Sequence, residues 1–83
     1  MLHRGEILLR DRIVASDDVL HGKPRVANTR IQVYQVLDLL AAGKTVSEIT
    51  SEAYFPDLDA SDVYACIAYA SEVVFGEEIV SVP

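Results

Sequence analysis

Apolar positions along the chain change their spacing at residue 33. Before it, residues 7–15 (Ile-Leu-Leu-Arg-Asp-Arg-Ile-Val-Ala) mix leucine with β-branched side chains and run into the turn-rich Ser16-Asp17-Asp18. This predicts a short extended segment. A turn then centres on Gly22. Lys23 precedes Pro24 and is kept out of helical geometry, so Arg25-Val26-Ala27 extends as a second short strand pairing with the first. Asn28 tolerates left-handed backbone and ends it. Two strands of this size are not stable by themselves, so residues 7–31 read as a hairpin arm.

From Val33 the spacing is helical. Val33, Val36, Leu37 and Leu40 follow i, i+3, i+4, i+7, and Gly43 is a natural terminator, giving a first helix over about 33–42. Thr45-Val46-Ser47-Glu48 fits a capping box and opens a second helix over about 46–52. Tyr54-Phe55-Pro56-Asp57-Leu58 breaks it. Asp59 then caps a third helix, about 60–75, ending at Gly76. Its buried stripe reads as Val63, Cys66, Ile67, Ala70 and Val74. A second face carries Tyr64, Ala68 and Ser71, so the helix is apolar around more of its circumference than a solvent-facing helix needs. Tyr64, Ser71 and Glu72 are therefore candidates to face a partner. The expected architecture is mainly α: a three-helix, homeodomain-like helix-turn-helix domain with an N-terminal β-hairpin arm. It forms one domain over 1–76, with 77–83 as a frayed tail or a strand that orders on binding.

Composition narrows the class. At 83 residues and 51% hydrophobic content the chain is one folded domain near the lower size limit for a single core, and forming a homodimer would relieve that marginality. No apolar run is long enough to span a bilayer, and the first residues lack a signal peptide's apolar block, so a cytoplasmic location is the expectation. The single cysteine, Cys66, has small apolar neighbours and reads as a core residue.

Charge divides the chain in two. All seven Lys and Arg residues precede Thr45 and share residues 1–44 with five carboxylates, whereas the eight carboxylates after Lys44 have no basic companion. The halves carry net charges of +2 and −8. The run His21 to Ile31 holds Lys23, Arg25 and Arg30 with His21 and no acid. With Arg12 these cations are the candidates for a partner or a nucleic acid, while Gly22, Pro24, Asn28 and Thr29 shape the turn.

Catalysis finds little support. His3 and His21 belong to no spaced ligand set, so no metal site is expected. Asp17-Asp18 beside His21 reads as a turn signal. Gly22-Lys23 lacks phosphate-loop spacing, and Ser16, Ser47 and Ser61 read as turn or cap residues. No catalytic residue and no cofactor is assigned.

Gly22-Lys23-Pro24, Thr29-Arg30-Ile31 with Val33, Leu39 to Ile49, Pro56-Asp57-Leu58, Asp62 to Ala65 and Ala68-Tyr69-Ala70 together resemble domain-of-unknown-function family 433, over about residues 12–74. These are small bacterial and archaeal proteins regarded as predicted antitoxins. The resemblance implies a helix-turn-helix fold and pairing with a nuclease toxin of the PIN type. The chain departs from the family at His21 and Asn28, where Gly is usual, at Gln32, where Pro is common, and in a Ser51–Phe55 segment about two residues longer.

On this reading the protein is a non-enzymatic antitoxin that neutralises a PIN-like ribonuclease by contact, its acidic half complementing a basic toxin surface. Arg30 reads first as a structural residue bonding backbone carbonyls or Asp38. A second reading inserts its guanidinium among the nuclease's carboxylates. The competing class is a DNA-binding regulator. The third helix contains no Lys or Arg, so DNA contact would fall to Arg12, Lys23, Arg25 and Arg30 on the arm.

Overall fold

The computed structural model describes residues 5–77, so the expected 77–83 tail lies outside the described residues beyond its first position. Three strands, β1 (Glu6–Arg10), β2 (Ile13–Ser16) and β3 (Arg25–Val26), precede three helices, α1 (Val33–Ala41), α2 (Val46–Ile49) and α3 (Ala60–Gly76). The segment expected as one strand is thus two. Arg12 takes φ 69, and the chain reverses at Asp11-Arg12, so Ile7 pairs with Ala15 and Leu8 with Val14 in antiparallel register. The polar triplet Arg10-Asp11-Arg12, set between two apolar runs, is the sequence signal for this reversal. β2 then pairs antiparallel with β3, Ile13 opposite Val26 and Val14 opposite Arg25.

This three-stranded sheet overturns the mainly α, homeodomain-like expectation. An arm would stand outside the core, whereas Ile13, Val14 and Val26 are at most 2% exposed. Ile13 and Val26 join Val33, Val36, Ile49, Leu58, Val63 and Cys66 in one apolar cluster. The protein is a small α/β fold, a sheet order β1-β2-β3 combined with three helices.

Alternation along the strands gives the sheet two unlike faces. Ile13 and Val26 serve the apolar cluster, while Glu6, Ser16 and Arg25 share the other face. There the Arg25 guanidinium is 3% exposed and donates to Ser16 Oγ (3.2 Å) and to Glu6 Oε1 (3.4 Å), whose side chain is 4% exposed. Residues 17–22 fold back on β2, Val19 bridging Ser16. Within that return Leu20, His21 and Gly22 follow one another in the left-handed region, at φ 54, 55 and 78. Gly22 adopts this freely, and the two side chains before it do so at a steric cost. β1 is left on the sheet edge with Ile7 62% and Leu8 55% exposed on opposite faces.

The helices form where their spacing and caps require. Val33 and Val36 are buried on α1, with Leu37 and Leu40 packed against the cluster. Gly43, at φ 89, ends α1 in a Schellman motif: the Gly43 amide donates to Leu40 O and the Lys44 amide to Leu39 O, both at 3.0 Å. Glu48 N–H donates to Thr45 Oγ1 at 3.1 Å and Thr45 N–H to Glu48 Oε1 at 3.0 Å, completing the expected capping box. α2 stops at Ile49 rather than 52, because the Thr50 and Ser51 hydroxyls donate back to Val46 O and Glu48 O and turn the chain. Along α3 the expected buried stripe divides: Val63 and Cys66 are fully buried, but Ile67 is 41% and Val74 67% exposed. α3 is apolar around a wider arc than α1 and the sheet cover.

Truncating Arg25 leaves a carboxylate and a hydroxyl in a dry site. Arg25→Ala is expected to lower unfolding free energy by about 3 kcal/mol in urea titration. The double variant Glu6→Gln/Arg25→Met is expected to recover part of that loss.

Candidate functional site

Of the four cations expected to face a partner, two are used internally. Arg25 is the buried guanidinium of the sheet and is not accessible to a partner or a phosphate. Its place in β3, opposite Val14, turns it inward. Arg12 leaves the β1–β2 turn and reaches the start of α3, donating to Asp62 Oδ1 at 3.0 Å and Asp59 Oδ1 at 3.3 Å. These two aspartates cap each other's amides, Asp62 N–H to Asp59 Oδ1 at 2.9 Å and Asp59 N–H to Asp62 Oδ2 at 3.0 Å. The hydrogen bond to Asp62 and the charge of Asp59 raise the Arg12 pKa further. The bond from the Asp62 amide, aided by Arg12, holds the Asp59 carboxyl below the usual carboxylate range. Glu48 is lowered in the same way by its bonds with Thr45.

Lys23 and Arg30 remain exposed. Arg30 stands on the turn after β3, which is built as the sequence requires. Asn28 takes φ 64, and Thr29 Oγ1 donates to Val26 O at 2.8 Å and accepts the Ile31 amide at 3.0 Å. The Val26 amide donates to Ile31 O at 2.9 Å and the Val33 amide to Pro24 O at 3.0 Å, closing the turn. Among the described residues Arg30 bonds neither Asp38 nor a backbone carbonyl, unlike its expected structural role, and it lines a concavity of about 430 Å³ with Val19, Asn28 and Thr29. Lys23 lies with its ammonium 5.9 Å from the centre of the Tyr34 ring.

Lys23 also lines an apolar concavity. This apolar groove of about 430 Å³ runs between α1 and α3, walled by Tyr34, Leu37, Tyr69, Val73 and Val74. The sequence reading missed it, because its wall residues come from two helices 35 positions apart and each, taken alone, reads as core. A hint lay in the apolar surplus of α3. Of the three candidates named on that helix, Tyr64 is 59% exposed and Ser71 is exposed, while Glu72 is bonded to Arg10.

Burial, and secondarily the Asp62 charge, push the Cys66 thiol up to about 11, so it is protonated and inert near neutral pH. Among the described residues no group of three His, Cys, Asp or Glu side chains is placed to hold a metal ion. No described helix is long and apolar enough to cross a membrane.

The family model for a protein of unknown function, DUF433, matches residues 13–70. The chain belongs to this family. The DUF433 match runs from the first residue of β2 through about the first two-thirds of α3 and so contains the Arg30 turn and most of the groove. The uncharacterized protein y4eO of Sinorhizobium fredii is 39% identical over 61 residues, or 74% of this chain and 27% of that protein. The chain thus spans about a quarter of the length of this relative. No solved structure matches it.

The α3 cap has a pH signature. Asp59 and Glu48 have lowered carboxyl pKa values, so their stabilisation is present above the ordinary carboxylate range, about 4, and is lost as pH falls through the lowered values. Arg12→Ala is expected to speed amide exchange at Ala60–Val63 at neutral pH and leave α1 unchanged. The same helix start is expected to loosen in the parent chain on acidification below about pH 4.

Proposed function

We propose that this protein is a non-enzymatic binding module, an antitoxin that neutralises a cognate PIN-like ribonuclease in the cytoplasm by direct contact. The observation that supports a protein partner is the apolar groove between α1 and α3, with Lys23 among its lining residues. Concave apolar surface with a few polar groups at its mouth suits a peptide or helix of another protein. In this reading Arg30, at the tip of its turn, enters the carboxylate cluster with which such a nuclease holds its metal ions. Bidentate hydrogen bonds would hold it there. The groove takes an apolar segment of the nuclease alongside, with Lys23 at its edge.

The DNA-binding reading is weakened by the loss of two of its four cations. Phosphate binding depends on accessible Lys and Arg, and Arg12 and Arg25 are committed to Asp59, Asp62 and Glu6. The acidic half has less free charge for a toxin than its composition implies, since Asp59 and Asp62 are paired with Arg12 and Glu72 with Arg10. Shape and an inserted cation, rather than net charge, therefore supply specificity in the proposed complex.

The test is co-expression with the product of the neighbouring gene, one partner tagged, beside growth of cells making that product alone. A stable complex that relieves toxicity is expected. Arg30→Glu is expected to weaken that complex at least tenfold with an unchanged circular dichroism spectrum. A neighbour that is neither toxic nor bound would overturn the assignment, as would full neutralisation by Arg30→Glu.

A further inference from the structure

The solvent face of α3 reads the same in both directions. Tyr64, Ala68, Ser71 and Phe75 stand at spacings of four, three and four, an aromatic residue at each end and two small residues between. At about 100° per residue they fall within an arc of about 60°, on the side of the helix away from the α1–α3 groove. Tyr64 is 59% and Phe75 91% exposed, Ser71 is exposed and Ala68 half-buried, with Ile67 flanking the row at 41%. An aromatic side chain this exposed at the end of a packed helix covers little among the described residues. The row is also free of charge. Glu72 beside it is bonded to Arg10, on a chain whose formal net charge is −6. Two copies can approach here without setting carboxylate against carboxylate.

An isologous interface must be self-complementary: each residue meets a position whose own counterpart it supplies. The order aromatic, small, small, aromatic meets that condition when two such helices run antiparallel. We propose that a second copy of this chain docks on this face, α3 against α3, about a two-fold axis between Tyr69 and Ala70. Tyr64 then lies against Phe75 of the partner subunit, and Ala68 against Ser71 of the partner subunit. The small pair brings the helix axes to about 8 Å, and the aromatic pairs close the ends. The row is about 16 Å long. A contact of that length buries on the order of 1,000 Å² in total, at the low end for a specific interface. It leaves the groove, Lys23 and Arg30 open and is independent of the antitoxin reading.

Sedimentation equilibrium of the full chain from about 5 to 500 µM, a range bracketing such an interface, tests this. The expected mass rises from one chain toward two, more readily at high salt as the like charge is screened. Ser71→Glu is expected to raise the dissociation constant at least tenfold with the same circular dichroism spectrum. For the register, Tyr64→Cys and Phe75→Cys variants are oxidised separately and mixed. A disulfide-linked dimer only in the mixture is expected. A single-chain mass throughout overturns the proposal, as do equal self-links in the separate variants, which mean a parallel pair. A row protected from solvent only when the neighbouring gene's product is added also overturns it and gives this face to that protein.

Discussion

One guanidinium holds the three strands in place. Arg25 lies on β3, its first partner Ser16 on β2 and its second, Glu6, on β1, so a single planar side chain spans the sheet on the face away from the apolar cluster. A charge withdrawn so fully from water must keep its partners, because an orphaned ion in a dry site costs far more than the pair returns. The register of all three strands is therefore tied to one residue. With that register fixed, Ile13 and Val26 point together at Val33, Val36, Val63 and Cys66, and the helices have a surface on which to settle.

The helical layer depends on short local signals more than on a large core. Thr45 with Glu48 and Asp59 with Asp62 satisfy the first amides of α2 and α3, and Gly43 closes α1. Arg12 then links the second of these caps to the sheet. A chain of 83 residues has little apolar area to spare, and such links let its layers be positioned by polar groups at their borders.

What was legible in the sequence followed the range of the interaction. The face of α1, both Ser/Thr/Asp-type caps, the glycine after α1 and the left-handed Asn28 act within a few residues, and each could be read from its neighbours. The sheet was less legible. Its middle strand hides in a run whose break, Arg10-Asp11-Arg12, looks like the polar edge of one strand rather than a reversal. The roles of Arg12 and Arg25 were not legible at all, since their partners lie 9 to 50 positions away and nothing local distinguishes a cation that pairs inward from one that faces solvent. Family resemblance pointed to the family and, for the same reason, not to the sheet.

The place of β1 in the sheet gives the acidic composition a second meaning. Among the described residues β1 is an edge strand with Ile7 and Leu8 open on opposite faces, and an edge strand is a template on which other strands can add. Like charge keeps copies of this chain from adding to it at neutral pH. The protection is electrostatic and has an address on the pH scale: near the isoelectric point of 4.6 the mutual repulsion vanishes, a short step above the range in which the capping carboxylates begin to take up protons. Acid thus removes the guard from the edge before it loosens the helices, which makes mild acidity, rather than heat, the condition under which this small domain is most exposed to precipitation as a still-folded molecule.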